Sequence, residues 1–142
     1  MLKNKIIVVT GGAGRLGQTF VNAIAQNGGV AIAADIDFNA AERIVADVGE
    51  DSIGCVVAAQ LDITSKKSIL ALIENLLTQY GRIDAIVNNA YPRNKNYGSK
   101  IENVTYEDFC ENVDMHLGGY FLVAQQFCLA FKEQGDGNLI NM

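Results

Sequence analysis

A glycine-rich segment near the N-terminus holds the residues best suited to bind a charged ligand. This segment, Thr10-Gly11-Gly12-Ala13-Gly14-Arg15-Leu16-Gly17, directly follows a β-branched run and directly precedes a helical pattern. Glycines at such a turn permit positive φ angles, let a pyrophosphate reach the backbone N–H groups, and let the helix pack closely on the strand. The helix N-terminus adds unpaired N–H donors and a partial positive charge. The segment therefore predicts a diphosphate site, with a glycine turn that binds nothing as the alternative.

The carboxylate of Asp35 is the second group with evident chemistry. Asp35 ends the second apolar run, 18 positions after Gly17. A carboxylate at that strand end accepts hydrogen bonds from both hydroxyls of an adenosine ribose and repels a 2′-phosphate, which favours NAD over NADP. Two alternatives stay open. Asp35 could instead cap the following turn together with Asp37, and the Arg15 guanidinium could accept a 2′-phosphate and favour NADP.

Apolar runs and helical patterns alternate along the chain that carries these residues. The predicted strands are residues 5–10, 30–34, 53–61, 83–87 and 138–142. The first of them lacks the polar alternation of a half-exposed strand. The first predicted helix runs from Leu16 to Gly28, and the third runs from Ile69 to Gly81. The second begins at an Asn39–Glu42 capping box and ends at Gly49. The fourth begins at a Thr105–Asp108 box and ends at about Glu133. This order predicts the α/β class: a three-layer doubly wound parallel sheet, or Rossmann fold, in one domain over residues 1–142.

The fourth predicted helix carries a broad apolar stripe. At about 100° per residue, the stripe comprises Phe109, Val113, His116, Leu117, Tyr120, Ala124, Phe127, Cys128 and Phe131. Leu122 and Leu129 give this helix a second apolar edge. We therefore expect burial on more than one side and a homo-oligomer contact along it.

Composition limits the partners and the compartment. Apolar residues make up 49% of the 142 residues, enough for a core, and the net charge of −5 argues against nucleic acid or an anionic membrane. No run reaches the ~18 apolar residues of a membrane span, and the first run is too short for a signal peptide. Cys110 and Cys128 would lie roughly 27 Å apart on one helix, beyond disulfide reach. We expect a cytoplasmic protein with reduced thiols in its core and no metal site.

Four motifs, in order and over the whole chain, resemble the short-chain dehydrogenase/reductase family. They are the glycine turn, Asp35, the segment 61–63 (Leu-Asp-Ile) and the segment 88–90 (Asn-Asn-Ala). The segments 89–98 and 116–121 more narrowly resemble the flagellin-modification oxidoreductases within that family. The resemblance implies that the full enzyme transfers hydride between a nicotinamide and an alcohol or ketone, a sugar-derived one included.

The resemblance also implies roles for single residues. Gly11, Leu16 and Gly17 would line the pyrophosphate, Asp62 would bond the adenine amino group beside Ile63, Asn89 and Ala90 would follow the ribose, and Asn88 would brace the sheet. Without it, Asp62 with Thr64 could be a helix cap, and the paired asparagines could form a turn. The full set of predicted cofactor-binding residues is Gly11, Gly14, Arg15, Leu16, Gly17, Asp35, Ile36, Asp62, Ile63, Asn89, Ala90 and Tyr91.

Three departures from the family pattern affect the site. Arg15 stands where the compact branch usually has a glycine, and the spacing of glycines 11, 14 and 17 is that of the longer sugar-nucleotide branch. Tyr91 replaces the last glycine of N-N-A-G, so its ring could crowd or stack on the nicotinamide side. His116 stands at the family's helix asparagine, where it could bond a relay water and titrate near neutral pH. The alternative is that His116 is a packed residue of the apolar stripe.

The family's catalytic Ser and Tyr-x-x-x-Lys follow the fifth strand, and the 142 residues stop there. One hypothesis is that this chain is the cofactor-binding half of such an enzyme, truncated after strand five and inactive alone. The other is a non-catalytic dinucleotide-binding or interaction module. The loop from Pro92 to Asn103, with Arg93, Lys95 and Lys100, could cover the substrate or meet an anionic group, or be solvated surface.

Overall fold

Five short strands form one parallel sheet. A computed structural model describes residues 1–47 and 53–142 of the chain. The strands are β1 (Ile6–Thr10), β2 (Val30–Asp35), β3 (Cys55–Gln60), β4 (Ala85–Asn88) and β5 (Asn138–Asn141). They are hydrogen-bonded in the order β3-β2-β1-β4-β5, with every pair parallel. The chain order reverses beside β1, and in such sheets the crevice at this reversal is where ligands bind.

Helices cover both faces of this sheet. They are α1 (Arg15–Gln26), α2 (Phe38–Asp47), α3 (Lys66–Tyr80), α4 (Tyr106–Val113), a π-helical turn (Asp114–Gly118) and α5 (Gly119–Gln134). Val8 of β1 packs in a core with α3 and α5, whereas the adjacent Val9 packs in a second core with α1 and α2. Both valines are fully buried. The predicted three-layer doubly wound sheet is confirmed. In the part of the chain described, no helix is long and apolar enough to cross a membrane.

Local sequence signals correctly marked the end of α3 and the start of α4. Gly81 follows α3 with a left-handed φ of 74°, which a residue with a side chain rarely adopts. Thr105 caps α4: its hydroxyl accepts the N–H of Asp108 at 3.0 Å and donates to the Asp108 carboxylate at 2.9 Å. These signals held because each involves residues within one turn of the chain.

The capping box predicted for the second helix is wrong. Asn39 and Glu42 both lie inside α2, which begins one residue before Asn39. The Asp37 carboxylate accepts the N–H of Ala40 at 3.0 Å and so caps the helix instead. Asp37 is already at the helix start because β2 ends only two residues earlier. The predicted end at Gly49 lies outside the described residues.

The predicted fourth helix is interrupted, and its apolar stripe is only partly buried. Phe127 and Phe131 are buried, but Phe109 is 58% exposed and Leu117 is 67% exposed. Val123, absent from the predicted stripe, is fully buried. The difference follows from packing, since α4 has no buried residue, whereas α5 packs against α3, β4 and β5.

The expectation that the thiols are core residues is also wrong. Cys55, Cys110 and Cys128 are all free and exposed. Cys55 begins the edge strand β3, and the other two lie on helix surfaces outside both cores. The sequence favoured burial because free cysteine is usually buried, a preference that is only statistical.

Candidate functional site

A cleft of ≈ 820 Å³ opens at the carboxyl ends of β1, β2 and β4. All twelve predicted cofactor-binding residues line it, together with six that the sequence did not single out for this role. The six are Ala13, Gln18, Leu61, Pro92, Arg93 and Tyr97. His116 is not among the lining residues. The strand ends meet here because parallel strands place all their carboxyl ends on one side of the sheet.

The glycine turn leaves no space for side chains. Gly11 has a φ of +63°, and a Cβ on it would lie 2.9 Å from the Cα of Ala90. A Cβ on Gly17 would overlap the carbonyl oxygen of Gly11, and one on Gly12 would lie 2.7 Å from the Cα of Ala33. The turn therefore lies against β2, β4 and its own helix with bare backbone. No side chain caps α1 at Gly14, so the first N–H groups of this helix have no side-chain acceptor at the edge of the cleft.

Asp35 fits both readings of the sequence. One carboxylate oxygen accepts the N–H of Asp37 at 3.1 Å, as expected of a residue that caps the turn. The other accepts the N–H of Ala13 at 3.1 Å, which ties the glycine turn to the end of β2. A carboxylate offers about four lone-pair sites, so two remain for a ligand.

Asp62 does not cap a helix. Its carboxylate accepts the N–H of Thr64 at 2.9 Å and the Thr64 hydroxyl at 2.6 Å, closing a short turn after β3. Ser65 caps α3 instead by accepting the N–H of Ser68. The neighbouring Ile63 is buried and packs against Gly119, where a Cβ would lie 2.9 Å from the Ile63 side chain. This contact holds the Asp62 turn against α5.

The asparagine pair after β4 braces the site. The Asn88 amide donates to the carbonyl of Tyr120 at 3.2 Å and to the Asn141 side chain at 3.1 Å, so it links β4 to α5 and β5 as the resemblance implied. The Asn89 amide donates to the carbonyls of Thr10 at 3.0 Å and Gly11 at 3.4 Å. In this structure Asn89 therefore holds the glycine turn, and its contact with a ribose stays a prediction.

The family model described as short chain dehydrogenase matches residues 5–142. The chain belongs to the short-chain dehydrogenase family. The match includes every element of the cleft, from the glycine turn to the loop after β4.

Among curated relatives, the chain is 39% identical over 143 residues to the post-translational flagellin modification protein A of Campylobacter coli. This match covers 100% of this chain and 56% of that protein. A solved 3-ketoacyl-(acyl-carrier-protein) reductase from Brucella melitensis, complexed with NADH, matches with a TM-score of 0.83 at 26% identity, over 99% of this chain and 57% of that one. An NAD⁺-bound xylitol dehydrogenase shares the fold, with a TM-score of 0.86 at 22% identity over 99% of this chain and 53% of that one. The chain thus spans about half the length of these relatives.

A group of aromatic rings lies at the β4 side of the cleft. Tyr91, half exposed, has its ring centroid 4.2 Å from that of His116 in a T-shaped contact, and His116 makes a second one with Tyr120 at 4.9 Å. The Tyr91 and Tyr97 hydroxyls lie 3.2 Å apart. This hydrogen bond raises the pKa of Tyr91, and burial raises that of Tyr120. His116 lies behind Tyr91, so its contacts favour packing; its predicted catalytic role stays a prediction.

Hydrogen bonds anchor the loop after β4 to α4. The Asn94 amide donates to Asp108 at 2.9 Å and to Glu111 at 2.8 Å, while its backbone N–H donates to the Asn112 side chain at 3.1 Å. Asn96 donates to Asp108 at 2.7 Å. The hydrogen bond from Asn96, with further bonds from Thr105 and Asn94, holds the pKa of Asp108 below its usual range. The sequence did not predict this anchoring, because hydrogen-bonded side chains so far apart in the chain leave no periodic pattern in it.

Proposed function

We propose that this chain is the cofactor-binding half of an NAD(P)-dependent oxidoreductase acting on an alcohol or ketone. One observation carries the proposal: the bare backbone of the glycine turn and the Asp35 carboxylate face the same cleft. Backbone N–H groups at a helix start suit a diphosphate, and a carboxylate at the end of the next strand suits ribose hydroxyls. Membership of the family favours this function over a non-catalytic binding module.

The residues present fit a dinucleotide. Any side chain at Gly11 or Gly17 would meet backbone atoms, so the turn keeps the close approach that a pyrophosphate needs. Asp35 keeps two acceptor sites beyond its bonds to Ala13 and Asp37, enough for the two ribose hydroxyls. The cleft volume of ≈ 820 Å³ lies within the usual range for small-molecule sites.

The strand order supports one orientation of the cofactor. Asp35 ends β2 and Asp62 follows β3 on one side of the glycine turn, whereas residues 89–91 follow β4 on the other. The adenosine would lie on the β2 side and the nicotinamide on the β4 side, where the ring supplies the carbon that accepts or gives up hydride. The chain's own residues bind and orient it.

We propose NAD rather than NADP as the cofactor. The charge of Asp35 at the ribose end repels a 2′-phosphate. Arg15, which also lines the cleft, supports the opposite choice if its guanidinium reaches that phosphate. The NADH in the Brucella melitensis reductase complex is consistent with NAD.

We expect binding without turnover from this chain alone. Tyr91 and Lys95 have the spacing of the family's Tyr-x-x-x-Lys pair, but both lie in the irregular loop after β4. A helix would present residues four apart on one face, and a loop does not. The lysine therefore has no fixed position from which to lower the pKa of the phenol.

A fluorescence titration of the chain with NADH tests the proposal. We expect a saturable enhancement of NADH fluorescence and tighter binding of NADH than of NADPH. A chain that shows no saturation at millimolar NADH, while its circular dichroism reports a folded α/β domain, would overturn the assignment.

We further propose that the chain forms a homo-oligomer. Four large apolar side chains, Phe109, Val113, Leu117 and Phe121, are exposed along α4, the π turn and α5. A second copy of this chain would remove them from water. Sedimentation velocity checks this: Leu117→Asp should shift the chain towards monomer, whereas Leu70→Asp on α3 should leave the assembly unchanged.

We also propose a cytoplasmic location. The three exposed thiols are free and would be prone to oxidation in an oxidising compartment. Fractionation of the source cells should recover the chain with cytoplasmic marker enzymes, and recovery with a membrane or an exported fraction would contradict this.

A further inference from the structure

We propose that Arg93 binds an anionic group, a phosphate or a carboxylate, on the substrate of the oxidoreductase. This inference rests on the proposed function, since it assigns the substrate class of that same cleft. It makes Arg93 a specificity-determining residue of this chain.

Arg93 is a cation in the cleft that forms no ion pair with the acids that the structure describes. It lines the cleft next to Tyr91 and Tyr97. Within residues 1–47 and 53–142, the ion pairs are those of Lys5 and Arg82 with Asp84 and of Arg82 with Asp136, at the opposite ends of β1 and β4. The charge of Arg93 is therefore available to a ligand that enters the cleft.

The guanidinium is held in position before any ligand arrives. Its central carbon lies 5.2 Å from the centroid of the Tyr97 ring, within range of a cation–π interaction. The Tyr97 hydroxyl in turn contacts that of Tyr91 at 3.2 Å. Stacking on a ring leaves the edge of a guanidinium free to donate two parallel hydrogen bonds to a phosphate or carboxylate.

The backbone next to Arg93 is fixed as well. Asn94 makes three hydrogen bonds to α4, through its backbone N–H and its side-chain amide. Two of its acceptors are the carboxylates of Asp108 and Glu111, which are thus hydrogen-bonded to an amide. The loop thus presents the cation and neutralises none of its charge.

The position of Arg93 separates it from the proposed ribose end of the cofactor. Arg93 follows β4, whereas Asp35, at the proposed ribose end, lies on β2, two strand spacings or roughly 10 Å away across β1. The start of α1, which we propose binds the diphosphate, follows β1 rather than β4. An anion at Arg93 therefore belongs to a molecule bound at the nicotinamide end, which is where the substrate must lie.

Calorimetric titration of the NAD⁺-saturated chain tests this assignment. The probes are glucose 6-phosphate, gluconate and neutral glucose, which share a carbon skeleton and differ in charge. We expect the anions to bind about 10- to 100-fold more tightly than glucose, the range for hydrogen bonds to a charged partner. If glucose 6-phosphate shows the larger gain in affinity over glucose, the natural group is a phosphate. If gluconate shows the larger gain, it is a carboxylate.

Two variants of one loop sharpen the result. Arg93→Gln keeps a polar side chain without charge and should remove the anion preference, while Lys95→Gln removes an equal charge from an exposed residue outside the cleft and should change nothing. The NADH titration of Lys95→Gln should match the unmodified chain. Weaker NADH binding by Arg93→Gln alone would place the guanidinium on the cofactor and overturn the assignment. An Arg93→Gln chain that binds NADH normally and still prefers the anions overturns the assignment, as does an unmodified chain with no preference. Loss of NADH binding in the unmodified chain instead overturns the proposed function.

Discussion

The hydroxyl of Thr10 accepts the backbone N–H of Asn89 at 2.8 Å. Thr10 is the last residue of β1 and Asn89 is the first after β4, so the bond joins the two strands on either side of the topological reversal. The same hydroxyl accepts the N–H of Ala90 at 2.9 Å and donates to the Asn88 side chain at 3.4 Å. The buried hydroxyl oxygen of Thr10 therefore holds the ends of β1 and β4 together at the base of the cleft.

Replacing Thr10 with Val should destabilise the fold. Valine has nearly the same shape but leaves the partly buried N–H groups of Asn89 and Ala90 without this acceptor, at a cost of about 1–3 kcal/mol in the free energy of unfolding. Urea denaturation measures the loss. Thr10→Ser keeps the hydroxyl, loses one methyl group and should cost only about 1 kcal/mol. Equal stability of the two variants would show that the hydroxyl is not the stabilising group.

Asp35→Asn should alter the choice of cofactor. The change removes the charge that repels a 2′-phosphate and weakens the acceptor for ribose hydroxyls, so NADH should bind roughly 10-fold less tightly and the preference over NADPH should shrink. Fluorescence titrations with both cofactors measure the ratio. Asp37→Asn removes a charge two residues away, outside the cleft, while asparagine still caps α2. A ratio that moves equally in both variants contradicts a role of Asp35 at the ribose.

Gly17→Ala should disrupt the glycine turn. Its Cβ would overlap the Gly11 carbonyl oxygen, a backbone atom that cannot rotate away. We expect a loss of about 1–3 kcal/mol in stability and at least about 10-fold in NADH affinity. Gly118→Ala is the matched control: there the nearest atom is a side-chain oxygen of Asp114 at 3.2 Å, and alanine favours the helix. A Gly17→Ala chain with unchanged NADH affinity would contradict the proposed approach of the diphosphate.

Asp84 should make stability depend on acid pH. Burial alone would raise the pKa of its carboxyl, but hydrogen bonds from the Lys5 ammonium, the Ile6 N–H and the Arg82 guanidinium outweigh it and lower the pKa below 3.8. A lowered folded-state pKa means that the carboxylate stabilises the fold at pH values above 3.8. This contribution is lost as the pH falls through the folded-state pKa.

The variant Asp84→Asn therefore tests the charge. It should melt at a lower temperature than the unmodified chain at pH 7, by an amount worth about 1 kcal/mol because both cations are partly in water. The difference in melting temperature between the two chains should disappear as the pH falls below 3.8. Thermal melts between pH 2 and pH 7 measure this difference. A difference in melting temperature that stays constant over this range would assign the effect to packing rather than to charge.

The cleft could be predicted from sequence because its parts are local. The glycine turn, Asp35 and the asparagine pair each follow directly after an apolar strand, and parallel strands bring such positions to one edge of the sheet. That rule needs only the order of strands and helices, which periodicity supplies. Helix signals such as Gly81 and the Thr105 cap were predictable for the same reason, since each depends on a few adjacent residues.

The sequence by itself determined the alternation of strands and helices, the position of the glycine turn and the residues that meet at the sheet edge. Tertiary structure alone decided that Asp37 rather than Asn39 caps α2, that Phe109 is exposed on α4, and that Arg93 lies over the Tyr97 ring in the cleft. The physical reason is the distance along the chain between the residues that interact. Burial and side-chain pairing depend on neighbours distant in the chain, and the composition and spacing of residues along the chain do not specify those neighbours.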